Sequence, residues 1–109
     1  MRLYIAVRDD VPDFIVPTLV AHAVINAHES FRGEPAYEDW YQNSFKKCVV
    51  RVNLKEFDKI KALPTRVYLG HENKTLGGEK SCAIVLPCAS ENLPNVLKFA
   101  KLWKPLPIA

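Results

Sequence analysis

The sequence lacks long hydrophobic runs, and none of its apolar stretches approaches the ~18 residues that a membrane-spanning helix needs. The apolar stretch at residues 3–7 is followed by Asp9 and Asp10, and no small-residue cleavage site comes after it. This pattern is typical of a strand and not of a secretory signal peptide. We therefore expect a cytoplasmic protein that has no membrane partner.

Cysteine is also scarce, because the chain has only Cys48, Cys82 and Cys88 and no CxxC pair. An odd number without paired spacing argues against a disulfide framework and against a zinc site. His22 and His28 lie six residues apart, on different sides of a predicted helix, which argues against a shared metal. We expect neither a metal site nor another cofactor.

Charge of one sign does not dominate, since 15 Lys and Arg residues stand against 12 Asp and Glu and give a net charge of +3. This excess is compatible with a nucleic-acid partner but does not indicate one, because domains that charge alone identifies as nucleic-acid-binding usually have a pI above ~9. The chain of 109 residues is 49% apolar. We expect a single domain over residues 1–109 with one hydrophobic core.

Four short apolar segments have the length and composition of strands. In the second of them, Lys47, Val49 and Arg51 point to one side, and the residues between them point to the other. The third and fourth are joined by a polar loop of about eleven residues that contains Gly77 and Gly78. The predicted strands are residues 3–7, 46–52, 66–69 and 82–86.

In the segments between and after these strands, apolar residues recur at helical spacing, which predicts helices. A first helix runs from Pro17 to about Ser30, and a second, short helix begins at Pro35. A third follows the second strand and is stopped by Pro64. A last amphipathic helix is predicted from residues Leu93, Val96, Leu97, Ala100 and Trp103.

The predicted order is therefore β-α-α-β-α-β-β-α. Helices that alternate with short apolar strands indicate an α/β fold, which we expect to be a three-layer sandwich with a four-stranded sheet flanked by helices. An antiparallel pairing of the third and fourth strands would make the sheet mixed.

Three stretches of the sequence resemble the class II peptidyl-tRNA hydrolase family. They are YIAVRDD at residues 4–10, VAHA at residues 20–23 and SCAIVLP at residues 81–87. They are similar to that family's first strand ending in Val-Arg-x-Asp, to the x-x-His-Ala of its first helix and to its Thr-x-x-x-Ile-x-Pro strand. The resemblance implies a four-stranded mixed sheet between helical layers, a homodimer, and cleavage of the ester between a peptide and the 3′ ribose of tRNA.

The chain departs from the family at the start of the first helix, which in the family has the pattern Gly-Lys-x-x-x-Gln-x-x-His. Counting back from His22 places Phe14, Ile15 and Leu19 at the Gly, Lys and Gln positions. The family's Asp-Ala-Gly-x-Thr loop is also absent, although Glu72 can replace the aspartate and Lys74 can supply an amine. These departures leave open a second function, a non-catalytic RNA- or protein-binding module on the same fold.

Ester hydrolysis needs a positioned base and a donor to the oxyanion. The resemblance implies that the end of the first strand, the first helix and the loop before the last strand meet at one cleft. The candidate catalytic residues there are His71, Glu72, His22 and Ser81. The candidate substrate-binding residues, for the acceptor end of tRNA, are Asp10, Lys74, Lys47 and Arg51.

Each candidate also has an ordinary structural interpretation. His22 lies on a polar stripe of its helix and can be a hydrogen-bonded structural histidine, and Ser81 can be a hydroxyl at the start of a strand. Asp10 can form an ion pair with Arg8. His71 can act as a general base that Glu72 orients, or both residues can belong to a solvated loop. Lysines and arginines such as Lys47 and Arg51 can be simply solvated instead of binding an RNA backbone.

Overall fold

We analysed a computed structural model of the chain, which describes residues 1–71 and 77–107. The strands are β1 (Arg2–Arg8), β2 (Lys46–Val52), β3 (Val67–His71), β4 (Lys80–Val85) and β5 (Lys101–Leu102). The α-helices are α1 (Val16–Phe31), α2 (Pro35–Asn43), α3 (Leu54–Lys61) and α4 (Asn95–Lys98). Two 3₁₀ turns cover Asp13–Ile15 and Ser90–Asn92. Two candidate residues, Glu72 and Lys74, lie outside the described residues.

The strands form one mixed sheet in the order β3-β4-β1-β2-β5. β1 runs parallel to β2, whereas the β1–β4, β3–β4 and β2–β5 pairs are antiparallel. The predicted mixed α/β fold is therefore confirmed. The predicted number of four strands is wrong for the described residues, because β5 adds a fifth strand at the edge of β2.

The last predicted helix accounts for this error. We expected a helix to continue to Trp103, but α4 ends at Lys98 and the chain then becomes extended. Leu102 and Lys101 pair with Val50 and Arg51, and the Trp103 N–H donates to the Val49 carbonyl at 2.9 Å. These bonds satisfy backbone groups of β2 that would otherwise form an open sheet edge, which favours the strand over further helical turns.

Alternate residues of the sheet contribute to two different hydrophobic clusters. Ile5 of β1 belongs to a cluster with α1 and α2, whereas the next residue, Ala6, belongs to a cluster with α3 and α4. This alternation follows from the two-residue repeat of a strand, which directs successive side chains to opposite faces. The largest buried helical side chains are Phe31 and Trp40 in the first cluster and Phe57 and Ile60 in the second.

Helix α1 is the longest helix in the described ranges, with 16 residues. Pro17 lies in its first turn, as predicted, where a missing N–H costs no intrahelical hydrogen bond. Within residues 1–71 and 77–107, no helix combines the length and the apolar character needed to cross a lipid bilayer.

Candidate functional site

The C-terminal end of β1 is tied to the start of β4 by one arginine. Arg8 Nε donates to Asp10 Oδ1 at 3.0 Å, and its Nη2 pairs with the other oxygen of the same carboxylate. Its Nη1 donates to Glu79 Oε1 at 2.7 Å and to the Lys80 carbonyl at 3.1 Å. Although residues 8 and 79 are far apart in sequence, these bonds hold Glu79 and the start of β4 against the end of β1.

The Arg8 guanidinium is nearly buried, with 8% of the residue exposed, and a buried cation requires close counter-charges. The hydrogen bond from Arg8 lowers the pKa of Asp10 below its usual value. Bonds to Asp10 and then to Glu79 raise the pKa of Arg8. Asp10 is therefore a weak base that holds Arg8 in place, as the ion-pair interpretation of the sequence predicts.

His71 and Lys80 face each other across the β3–β4 pair. Lys80 Nζ lies 3.0 Å from His71 Nδ1. A lysine ammonium can only donate, so in this arrangement Nδ1 accepts and a neutral His71 carries its proton on Nε2. His71 then offers an N–H donor to a ligand, and it can act as a base only after the contact with Lys80 is broken.

Ser81 lies where the register of β3 and β4 shifts. Gly70 pairs with Cys82 and His71 pairs with Lys80, so Ser81 has no direct partner in β3. Such irregularities redirect side chains and are common beside active sites. Ser81 is buried, and its Oγ has no hydrogen-bond partner among the described residues. A buried hydroxyl without a partner is costly, which makes Ser81 a candidate for contact with a ligand.

Helix α1 approaches the same strand at Gly70. A Cβ placed on Gly70 would lie 2.7 Å from the Cβ of Ala23, so the two backbones are in close contact. His22 and His71 each adjoin this contact in sequence. His22 itself is exposed and borders a shallow depression formed with Pro17, Thr18, Ala21 and Ile25. Among the described residues, no hydrogen bond links His22 to Arg8, His71 or Ser81.

The two basic candidates of β2 lie elsewhere. Lys47 is at the opposite end of the sheet, about 17 Å of strand length from the level of Arg8. Its Nζ donates to the Phe45 carbonyl at 2.8 Å and lies 3.2 Å from the centre of the Phe45 ring. Lys47 is therefore not gathered with the other candidates.

Arg51 lies at the same end of the sheet as Arg8, but its guanidinium is already bonded to other groups. Its Nη2 donates to Asp13 Oδ1 at 3.1 Å and to the Lys104 carbonyl at 2.6 Å. The guanidinium also lies 5.3 Å from the centre of the Trp103 ring. Arg51 thus holds the C-terminal segment against the sheet, which limits its freedom to bind a substrate.

A cavity of about 700 Å³ lies beside this segment, at the ends of the parallel strands β1 and β2. Ligands of open α/β sheets commonly bind at the carboxyl ends of parallel strands. Asp9, Arg51, Asn53 and Glu56 line one part of the cavity, and Phe99 contributes an apolar wall. Asn53 and Glu56 already cap α3 by reciprocal hydrogen bonds of 2.8 and 2.9 Å, so their polar groups are partly occupied.

Sequence analysis did not place Arg8, Glu79 or Lys80 among the candidate catalytic and substrate-binding residues, although it anticipated the ion pair between Arg8 and Asp10. The signal available for Arg8 was a cation at the end of an otherwise apolar strand, which must find counter-charges if the strand is buried. No comparable signal distinguishes Glu79 from other acids of the polar loop. Over the part of the chain that the structure describes, no group of three or more His, Cys, Asp or Glu residues is arranged to hold a metal ion.

The structure thus places Arg8, Asp10, His71, Lys80 and Ser81 at the same end of the sheet. We define this group as the Arg8 cleft. His22 lies on the helix next to it, and Lys47 and Arg51 do not contribute. A comparison with models of known protein families found no match, and a comparison with curated proteins found none.

Proposed function

We propose that the protein is a diverged relative of the class II peptidyl-tRNA hydrolases that binds the acceptor end of peptidyl-tRNA at the Arg8 cleft and hydrolyses the ester. The observation that carries this proposal is the contact of Arg8 with Glu79 and with the Lys80 carbonyl. It adds to the antiparallel pairing of β1 with β4, by which the first and last of the three resembling stretches lie side by side.

The donors at the cleft suit the charge that develops during ester hydrolysis. Water attacks the carbonyl carbon, the carbonyl oxygen becomes negative, and the bond to the ribose oxygen then breaks as that oxygen takes up a proton. The Lys80 ammonium and the Nε2–H of His71 are both able to stabilise such an oxyanion. We assign the activation of water to Glu72, which stands in for the family's aspartate and lies outside the described residues.

The test starts from a peptidyl-tRNA whose ester bond is intact and measures the release of the peptide. We expect wild-type turnover, and we expect His71→Ala and Lys80→Ala to lower kcat by about a hundredfold, as for loss of an oxyanion donor. Glu72→Ala should remove the base and abolish turnover. Lys59→Ala, on the exposed face of α3, is the matched control and should keep full activity. Absence of turnover by a folded wild-type chain would remove the enzymatic proposal.

A specific observation favours a second candidate, a binding module that does not hydrolyse. Leu19, at the family's Gln position, is fully buried, and Ile15, at the Lys position, is also buried. Both therefore serve core packing instead of chemistry. This candidate predicts that the protein binds tRNA without releasing peptide, with an affinity that falls steeply as salt rises. A flat salt dependence would instead favour a protein partner.

The resemblance extends the proposal to architecture and assembly. The two hydrophobic clusters, built from alternate residues of β1, support a three-layer arrangement with helices on both faces of the sheet. We further propose a cytoplasmic homodimer. Light scattering of the purified protein measures its mass directly, and a monomeric mass across the micromolar range would contradict the dimer.

A further inference from the structure

A second polar pocket lies at the end of β1 and β2 opposite to the Arg8 cleft. Its volume is about 420 Å³, within the range of small-molecule sites. Arg2 and Tyr4 of β1 and Lys46 of β2 form one side. Cys88, Ser90 and Lys98, from the segment that includes α4, form the other side. Since β1 has seven residues, this pocket is about 20 Å of strand length from Arg8.

The positive charges of this pocket are held close together by the sheet. Arg2 and Lys46 are direct register partners on neighbouring parallel strands. Neighbouring strands are about 4.8 Å apart, and like charges placed opposite each other destabilise a sheet. Lys98 adds a third positive side chain from the other wall. The fold therefore holds three positive side chains close enough together to repel one another.

Among the described residues that line this pocket, none is a carboxylate that could compensate for the three cations. In the described ranges, none of the ion pairs involves Arg2, Lys46 or Lys98. Arg8, at the other end of β1, shows the contrast, because it has two carboxylate partners. An anion bound between Arg2, Lys46 and Lys98 would relieve the repulsion.

We propose that this pocket binds a phosphate group, either as inorganic phosphate or on a small phosphorylated molecule. The arginine guanidinium matches two oxygens of a phosphate at once, and the lysines act as point charges on the others. The hydroxyl groups of Ser90 and Tyr4 provide neutral donors beside them. The remaining volume is larger than a phosphate ion requires and accommodates a small organic group.

The proposal is tested by titrating the ¹⁵N-labelled protein with inorganic phosphate at constant ionic strength and following backbone amide shifts. We expect saturable shifts at residues 2, 46, 88 and 98 and none at residues 8 and 71. Lys46→Gln and Lys98→Gln should each weaken binding roughly five- to tenfold, because each removes one charge-assisted contact at an exposed site. Lys59→Gln on α3 is the control and should bind as the wild type does.

Cys88 provides a second readout, because its half-buried thiol lines the pocket. Saturating phosphate should slow alkylation of Cys88 at least about threefold. Shifts that follow ionic strength alone, or an unchanged rate at Cys88, would overturn the proposal.

Two further ligands distinguish the sources of the phosphate group. Tighter binding of ribose 5-phosphate than of inorganic phosphate would assign the site to a phosphorylated small molecule, and equal or weaker binding would assign it to the free ion. Preferential binding of an RNA oligonucleotide without terminal phosphates would overturn the proposal in favour of a nucleic-acid surface. Because these measurements do not depend on peptide release, their outcome is separate from that of the hydrolase test.

Discussion

Gly70 of β3 packs tightly against the methyl group of Ala23 in α1, since a Cβ built on Gly70 would lie 2.7 Å from the Cβ of Ala23. Two residues without long side chains are therefore needed for α1 to reach the sheet at this point. The contact fixes the distance between the helix that carries His22 and the strand that carries His71. It is thus a packing requirement of the fold.

Gly70→Ala should destabilise the fold by about 1–3 kcal/mol, because the added methyl group meets a side chain that has no room to move. Urea denaturation followed by circular dichroism measures this change. Adding Ala23→Gly should recover part of the loss, limited by the cost of about 1 kcal/mol for a glycine inside a helix. Equal stability of Gly70→Ala and wild type would show that the helix shifts without cost.

The two carboxylates that neutralise Arg8 should act non-additively. Asp10→Asn and Glu79→Gln should each cost about 0.5–1 kcal/mol, because both side chains are largely exposed and the other acid still balances Arg8. The double variant should cost about 3 kcal/mol, because the nearly buried guanidinium then has no counter-charge among these groups. A double-mutant cycle from urea denaturation measures the coupling. Glu29→Gln, at an exposed ion pair of α1, is the matched control and should change stability little.

The same ion pair predicts a pH dependence with a definite sign. Hydrogen bonding from Arg8 lowers the pKa of Asp10 in the folded state relative to the unfolded state. Its stabilising contribution is therefore fully present above the unfolded value of about 3.9 and is lost as pH falls through the lower folded pKa. The free energy of unfolding of the wild type should fall more steeply between pH 5 and pH 2 than that of Asp10→Asn. Identical slopes would contradict this role of Asp10.

Strands β1 to β4 were predictable because each has a local signal. The β-branched residues of 46–52 predicted β2, which is confirmed. The predicted alternation is confirmed too, because Val49 packs against the first cluster whereas Val50 and Val52 belong to the second. The segment after Lys98 was mispredicted because Ala100 and Trp103 continue the helical spacing of Leu97, while its structure is decided by the open edge of β2. That edge exists only once the sheet is assembled, so no local sequence pattern could predict that residues 101–102 pair with it.

The site was predictable only in part, for a similar reason. Asp10 was identified because the resemblance implies that the end of the first strand belongs to the site, and its pairing with Arg8 required no long-range information. The partnership of Arg8 with Glu79 joins residues 71 positions apart and depends on β1 and β4 being neighbours. Likewise, sequence spacing predicted that Lys47 and Arg51 lie on one side of β2. It did not predict at which end of the strand the Arg8 cleft would form.

The three cysteines should differ in reactivity. Cys82 is fully buried, and burial raises its pKa to about 12, so its reactive thiolate is rare at neutral pH. Cys48 and Cys88 are half-buried and should be alkylated first. Mass spectrometry after timed exposure to iodoacetamide at pH 8 should show label at both before any at Cys82. Early label at Cys82 would mean that β4 opens locally under native conditions.

The last prediction concerns Asp13, which fastens the C-terminal segment. Its carboxylate accepts from the Leu106 N–H at 2.7 Å and from Arg51 at 3.1 Å, and these bonds lower its pKa. Asp13→Ala should release residues 104–106 and leave Arg51 without an acidic partner near Trp103. We expect faster hydrogen exchange at the Leu106 amide and a red shift of tryptophan fluorescence, which reports Trp103 because Trp40 stays buried. Asp39→Ala, an exposed acid of α2 bonded only to Asn43 among the described residues, is the control. Unchanged exchange in Asp13→Ala would show that the pairing of β5 with β2 holds the segment by itself.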